Sequence, residues 1–201
     1  MTIVDHALYA GLWLSFGLGH SWLAGTRVKA RFHRWLGARY RIAYNLIALV
    51  HIGLVMGVGR LIAGQAARAL PLPGAAVWAM DALALGGAVL LVAALRGYDL
   101  GRFSGLAQWR HVGADFVEDE RLRSDGPHAY MRHPLYVGAM LLLWGLVRNE
   151  LQLATALWAS LYFIIGAIFE ERRLIAIHGD AYRAYRARVP AFLPWRGQVR
   201  L

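Results

Sequence analysis

LYVGAMLLLWGLV (residues 135–147), RNE (148–150) and LQLATALWASLYFIIGAIF (151–169) form the stretch that decides the fold. Two apolar runs are separated by only Arg148-Asn149-Glu150. The second run is long enough for a helix to cross a bilayer, which takes about 20 mostly apolar residues. The first would make a helix of roughly 20 Å, short for the hydrocarbon core unless tilted or only partly inserted. The spacing predicts a helical hairpin over Leu135–Phe169, with its tip at Arg148.

Working outward, Ile3–Ala24, Ile42–Gly64 and Ala75–Leu95 are three further runs of membrane-spanning length. The expected architecture is all-α: a polytopic membrane helix bundle of about five transmembrane helices. Asp5 stands where a signal peptide would carry basic residues, and the run is too long for an h-region, so the first segment reads as a retained helix. The composition agrees. Of 201 residues, 58% are apolar and 17% charged, with a mean hydropathy of +0.41 and a formal net charge of +10. An ordinary soluble domain has about 25% charged residues, and a disordered chain is far less apolar. The absence of cysteine excludes a disulfide framework, thiolate metal sites and a cysteine nucleophile.

Charge placement orients the chain. Nineteen of the 22 Lys and Arg lie in the first, third and final connections, and only Arg60, Arg68 and Arg148 lie on the other side. The positive-inside rule then puts the N-terminus outside and the C-terminus in the cytoplasm. The basic excess reflects topology and anionic headgroups, with no call for nucleic acid. We read residues 1–201 as a single domain: 1–95 with three membrane helices, 96–134 a cytoplasmic connector, 135–169 the hairpin, and 170–201 a cytoplasmic lid and tail.

Polar residues inside apolar runs need a reason. Asp81 and Arg60, at similar depth near the outer face, suggest an ion pair. His20 and His51 lie at different depths, which disfavours a haem between two helices and favours packed, hydrogen-bonded imidazoles; His20-Ser21 could also line a pocket. Gly53 and Gly57 have a spacing that permits close helix packing. Gly101-Arg102-Phe103-Ser104-Gly105 lacks the preceding strand that a nucleotide-binding glycine loop requires.

The dense chemistry begins at Asp125-Gly126-Pro127. Pro134 suits the first turn of a helix, so Arg132 and His133 stand at the cytoplasmic mouth of the hairpin, where a helix N-terminus can hold a carboxylate or phosphate. The return arm brings Phe169-Glu170-Glu171-Arg172-Arg173-Leu174 back to the same mouth. Glu170 and Glu171 read either as a solvated helix exit with Glu–Arg pairs or as carboxylates for a sugar diol or a cationic ligand. Farther on, Tyr182, Tyr185 and Val189 share one helical face and Arg183 and Arg186 another, the pattern of an interfacial amphipathic helix. Ala191–Trp195 is expected to pack back on the bundle.

Three of these motifs, in order, carry a resemblance: R-H-P-x-Y-x-G (Arg132–Gly138), E-E-x-x-L (Glu170–Leu174) and G-x-x-Y-x-x-Y-x-x-x-V-P (Gly179–Pro190). Together they resemble the isoprenylcysteine carboxyl methyltransferase superfamily of integral-membrane enzymes. Gly19-His20-Ser21, Val28-Lys29, Tyr40–Asn45, Tyr98-Asp99-Leu100 and Gln108 are similar to a bacterial branch of NnrU-type and methanethiol S-methyltransferase proteins. The resemblance implies S-adenosylmethionine (SAM) at the cytoplasmic end of the hairpin, leaving as S-adenosylhomocysteine. It implies cofactor contacts from His133, Tyr136 and Gly138, ribose recognition by Glu170 or Glu171, and a methionine carboxylate held by Arg132. Tyr182 and Tyr185 would belong to a segment closing over the adenine. No metal is implied. A bacterial inner membrane is the expected location, and the bilayer and a small or lipid-like methyl acceptor are the expected partners. Oligomeric state stays open.

Methyl transfer from a sulfonium needs alignment and exclusion of water more than covalent help. A carboxylate acceptor needs only orientation, whereas a thiol must lose a proton, which makes His20 or His133 a candidate base. Two other readings stay open at this point. An NADPH-dependent sterol-type membrane reductase has a similar tail but usually more membrane segments, and a non-catalytic membrane accessory or carrier could share the fold.

Overall fold

The computed structural model describes residues 1–64, 67–110 and 122–196. The expectations that fall on 65–66, 111–121 and 197–201, including part of the connector and the end of the tail, lie outside the described residues, as do the side chains of Arg102, Phe103 and Gln108. Among the described residues the chain is helical, and its one β-type pairing is an isolated bridge between Ala69 and Asn149. The helices are α1 (Ile3–Ala24), α2 (Thr26–Leu36), α3 (Tyr40–Ala63), α4 (Gly74–Leu95), α5 (Leu100–Ser104), α6 (Leu106–Arg110), α7 (Pro134–Gly145), α8 (Glu150–His178) and α9 (Asp180–Arg188). The five expected membrane segments correspond to α1, α3, α4, α7 and α8.

α3, α4 and α8 are long and apolar enough to cross a membrane. α1 matches them in length but is less apolar, because Asp5, His6, Ser15 and His20 interrupt it. α7 has 12 residues, about 18 Å of helix, and is the short arm of the hairpin. α8 does not stop at Phe169. It runs on to His178, because Glu170–Ile177 keep good helix formers in register and Gly179 (φ 57°) supplies the left-handed residue that ends it. The two acidic residues therefore ride on a rigid continuation of the membrane helix.

The chain forms two compact units. The first comprises Met1–Arg68 and Asp99–Glu118. Here Thr2 and Asp5 make a reciprocal cap at the start of α1, with Thr2 Oγ1 accepting from the Asp5 N–H (3.1 Å) and Asp5 accepting from the Thr2 N–H (2.7 Å). α1 and α3 pack through Tyr9, whose ring covers Gly59, and through a ladder of edge-on rings, Tyr9–Trp13–Phe16. The two histidines bond across this interface as expected: Ser15 Oγ lies 3.1 Å from His51 Nε2, and the Tyr44 hydroxyl meets the His20 ring. Gly105 (φ 91°) turns α5 into α6 at a point where an added Cβ would strike the backbone of Ile42, so it is a turn and packing residue, consistent with rejecting a nucleotide loop.

The second unit comprises Ala69–Tyr98 and Asp119–Leu201 and contains α4, α7, α8 and α9. α4 and α7 approach until backbones touch: a Cβ on Gly87 would strike Leu142 N and Gly138 O, and one on Gly145 would strike Ala84. This is where small residues allow close packing. A Cβ added at Gly53 or Gly57, in contrast, would meet nothing within 4 Å, so within the first unit they do not make the close helix contact expected of their spacing. The partner of Asp81 also differs from expectation. Asp81 binds Arg148 at the hairpin tip, and Arg148 also donates to the carbonyls of Gly145 (2.9 Å) and Val147 (2.7 Å). Since α4 runs antiparallel beside α7, the tip arginine is brought back alongside Asp81. Leu70 N–H donates to Arg148 O (2.9 Å), which ties the segment before α4 to the same tip.

Candidate active site

The second unit gathers the motif residues at the end of the hairpin away from Arg148. Pro134 opens α7, and His133 is its N-cap. Trp144 Nε1 donates to Ser160 Oγ (3.0 Å) farther up, which helps hold α7 against α8. The antiparallel return therefore sets Glu170 and Glu171 beside His133, as the hairpin reading expects.

Glu171 is a buried hub. Its Oε1 accepts from Arg132 Nε (2.7 Å) and lies 2.6 Å from Arg132 Nη2 and 3.0 Å from His133 Nε2. Its Oε2 lies 3.5 Å from Arg186 Nε. The Arg132 and Glu171 side chains are 10% and 11% exposed, so the pair is largely desolvated, and its hydrogen bonds have to be complete to repay that cost. Arg132 Nη1 also donates to the carbonyls of Val189 and Arg186. Two backbone bonds reinforce the attachment: Arg132 N–H to Pro190 O (2.9 Å) and His133 N–H to Ala191 O (3.1 Å). Arg132 is thus engaged with the C-terminal strap. The expected task of holding a ligand carboxylate would compete with a carboxylate it already binds.

Glu170 differs from its neighbour. Its side chain is 44% exposed, and its Oε2 lies 3.4 Å from His133 Nδ1. The successive carboxylates of one helix turn consequently take different positions: one is buried in an ion network and the other is open, next to the other nitrogen of the same imidazole. His133 itself is 3% exposed.

Aromatic rings stack around this imidazole. His133 lies parallel to Tyr136 (centroids 5.4 Å, 4°), and Tyr136 is stacked on Phe163 of α8 (5.2 Å, 23°). Phe192 of the strap covers His133 at 5.6 Å. Phe192 packs back as expected of Ala191–Trp195, whereas Phe163 was not anticipated from sequence. The signal for Phe163 was present: Phe163, Ala167, Glu170 and Leu174 repeat at helical spacing on one face of α8.

α9 packs as its periodicity predicts. Tyr182, Tyr185 and Val189 are buried together against Leu122, Leu174 and Ile175. The Tyr185 hydroxyl donates to His128 O (2.7 Å), and the Tyr98 hydroxyl lies 3.5 Å from His128 Nε2, with the Arg123 guanidinium over the Tyr98 ring at 4.2 Å. Burial lowers the pKa of the His128 imidazole, and Arg123 adds to this, so the ring favours its neutral form. Tyr185 is therefore committed to the packing of α9. Tyr182 is the exception in this cluster. Its hydroxyl is buried, faces Arg132 without a hydrogen bond of ordinary geometry, and is pushed up to about 12 by burial and by Glu171, so it remains a neutral donor. Gly138 faces α4: a Cβ there would meet Leu91 and the carbonyl of Gly87. Its place in the motif is explained by helix packing. His20 belongs to the first unit, against Tyr44. No group of three or more potential metal ligands occurs among the described residues.

The chain is 30% identical to a methanethiol S-methyltransferase of Crocosphaera subtropica, in a match covering 94% of this chain and 74% of that protein. The chain belongs to the isoprenylcysteine carboxyl methyltransferase superfamily. The phospholipid methyltransferase family model matches residues 82–181 of this membrane methyltransferase. Methanethiol S-methyltransferase 1 of Bradyrhizobium diazoefficiens is 32% identical over 44% of the chain, and the protein-S-isoprenylcysteine O-methyltransferase of Schizosaccharomyces pombe 35% identical over 38%. These two matches span only 32% and 34% of the relatives' own length. No solved structure matches the chain. The superfamily favours methyl transfer over the reductase and carrier readings, and the apolar helices make it an integral membrane enzyme.

Proposed function

We propose that this methyltransferase uses SAM and methylates a small apolar thiol of the methanethiol type. The observation that carries the cofactor reading is the open Glu170 carboxylate held beside a buried His133–Glu171 pair. The donor set fits SAM: a carboxylate for a ribose diol, the Tyr182 hydroxyl buried without a partner, and stacked aromatic faces suited to a cationic sulfonium or a purine. When bound, SAM supplies an electrophilic methyl on a sulfonium.

The chain's own residues do the rest. Glu170 accepts hydrogen bonds from the diol. Tyr136, stacked on both His133 and Phe163, keeps that aromatic wall of the mouth rigid. The strap, tied by Arg132 to Glu171, excludes water and fixes the approach of the acceptor, and such alignment contributes about 7–11 kcal/mol to reactions of this kind. A thiol acceptor has to lose its proton, and His133 is the first candidate base: once Glu170 turns to the diol, Nδ1 is freed to take that proton while Nε2 stays on Glu171. His20 is the second candidate base. The thiol reading is supported by the names of the relatives, and the basic connections support an N-terminus outside and a C-terminus in the cytoplasm of a bacterial inner membrane.

The test is transfer of labelled methyl from SAM by the purified protein to a panel of alkyl thiols, prenylcysteine analogues and phospholipid amines, with calorimetry of SAM and NADPH binding alongside. Labelled thioether is the expected product. Label only in a prenylcysteine ester or a phospholipid overturns the thiol assignment, and saturable NADPH binding without SAM binding overturns the cofactor.

A further inference from the structure

The first unit carries a cleft that the methyl-transfer chemistry does not use. It lies between the end of α1 and α2, has a volume of about 600 Å³, and is lined by Trp22, Arg27, Val28, Arg31, Phe32 and Trp35. That volume is within the range of small-ligand sites. We infer that this cleft is a binding site for one anionic glycerophospholipid, with Arg27 and Arg31 holding the phosphate and the aromatic wall covering the upper acyl chain.

Three features of the molecule lead to this occupant. The first is position. α2 joins α1 to α3, and α3 is long and apolar enough to cross a membrane. Phe32 stacks on Tyr40 at the first residue of α3 (6.4 Å, 21°), and the Tyr40 hydroxyl donates to Leu23 O at the end of α1. α2 is thereby fastened where the membrane helices end, at the level of the headgroups.

The second feature is the pattern of side chains. Arg27 and Arg31 are one helical turn apart, so both guanidinium groups project on the same side of α2. Val28, Phe32 and Trp35 fall beside them at helical spacing. Among the described residues the lining has two cations and no acid, so it offers its arginines no internal counter-ion there. Phosphate is matched by two such forks better than any neutral headgroup.

The third feature is exposure. Trp35 is 86% exposed and Trp22 61% exposed. Tryptophan in that state at a membrane boundary has its body among acyl chains and its N–H at the headgroups. An anionic amphiphile satisfies both halves of the cleft together, with its phosphate on the arginines and its glycerol and chain against Trp22, Phe32 and Trp35. A free anion would leave the aromatic wall in water, and a neutral lipid would leave the arginines without a partner.

The test uses the full-length protein, delipidated in detergent and mixed with equimolar phosphatidylglycerol and phosphatidylcholine, with retained lipid counted by native mass spectrometry. Wild-type protein is expected to retain one phosphatidylglycerol in preference to phosphatidylcholine by roughly tenfold or more, from two arginines at the site. R27Q/R31Q should lose the preference, and the charge-matched control K29Q/R34Q, whose side chains do not line the cleft, should keep it. Trp35→Ala, which leaves the charge intact, should also reduce retention while helicity by circular dichroism stays unchanged; it decides the matter if R27Q/R31Q loses helicity. Equal retention of the two lipids by wild type overturns the site, and so does an equal loss in both double variants, which would indicate diffuse attraction. Displacement of the lipid by millimolar inorganic phosphate would indicate a simple anion site and likewise overturn the proposal.

Discussion

Arg132 and Glu171, separated by 39 positions, face each other with Nε 2.7 Å from Oε1, and the same arginine reaches the carbonyl of Val189. One guanidinium therefore joins three elements: the start of α7, the end of α8 and the strap after α9. The R-H-P and E-E motifs are two halves of one latch. Arg132 and Glu171 hold the strap, and Glu170 is left outside that network.

Arg132→Ala leaves Glu171 buried with too few partners. The expected cost is about 3–5 kcal/mol, read as a lower thermal midpoint in detergent. Arg132→Lys should recover only part of it, since lysine cannot reach Glu171 and the strap carbonyls with one planar fork. Unchanged melting of Arg132→Ala would show that the latch does not hold the strap.

Glu170→Gln and Glu171→Gln are expected to behave differently. Glu170→Gln should raise KM for the methyl donor roughly tenfold with little change in melting, because an open carboxylate is weakened as an acceptor. Glu171→Gln should lower the melting midpoint first. If the two variants shift KM and stability alike, the division of labour between adjacent acids is wrong.

Tyr182→Phe removes a buried hydroxyl that has no hydrogen bond in the free protein. Leaving such a group unsatisfied costs about 1–3 kcal/mol, so the variant should be as stable as wild type or more so. If the hydroxyl donates to bound cofactor, the variant should also bind SAM more weakly by calorimetry. Lower stability together with undiminished SAM affinity would remove Tyr182 from the site.

His128 gives a pH dependence. Its folded pKa lies below the ordinary imidazole value of about 6.5, owing first to burial. Between the folded value and ~6.5 the unfolded chain binds more protons, so this contribution is complete above ~6.5 and is lost as pH falls through the folded value. Thermal midpoints from pH 7 to pH 5 should fall more steeply for wild type than for His128→Gln. Parallel curves would show that the ring does not titrate differently on folding.

Gly138→Ala should destabilise by about 1–3 kcal/mol, because the new methyl meets Leu91 and the Gly87 carbonyl. Gly53→Ala, with nothing within 4 Å, should be neutral or slightly stabilising. The contrast is read from melting midpoints of the two variants side by side, and equal losses would contradict the α4–α7 contact.

Much of the fold was legible because membrane insertion is written locally. Apolar runs of the required length, Pro134 at a helix start and the Tyr182–Tyr185–Val189 periodicity act over a few residues, and α1, α3, α4, α7 and α9 fall where those signals put them. The mouth of the hairpin was legible for the same reason, since a short turn at 148–150 forces antiparallel return. The partner of Asp81 was not, because depth along a helix is readable whereas the choice among helices at that depth depends on packing. Phe163 was missed, and the partner of Phe192 was not readable, because an aromatic in an apolar run carries no mark of what it stacks on.

The sequence by itself determined that this is an all-α membrane protein with histidine, tyrosine and two adjacent acids meeting at one end of a hairpin, because helix length, turn length and periodicity are properties of neighbouring residues. Only the tertiary structure decided which acid is buried and which is open, that Arg132 fastens the strap, and that Gly138 makes room for α4. Glu170 and Glu171 are chemically identical and adjacent, so nothing local distinguishes them. A rotation of about 100° per residue around α8 turns Glu171 into the Arg132 network and leaves Glu170 at its edge.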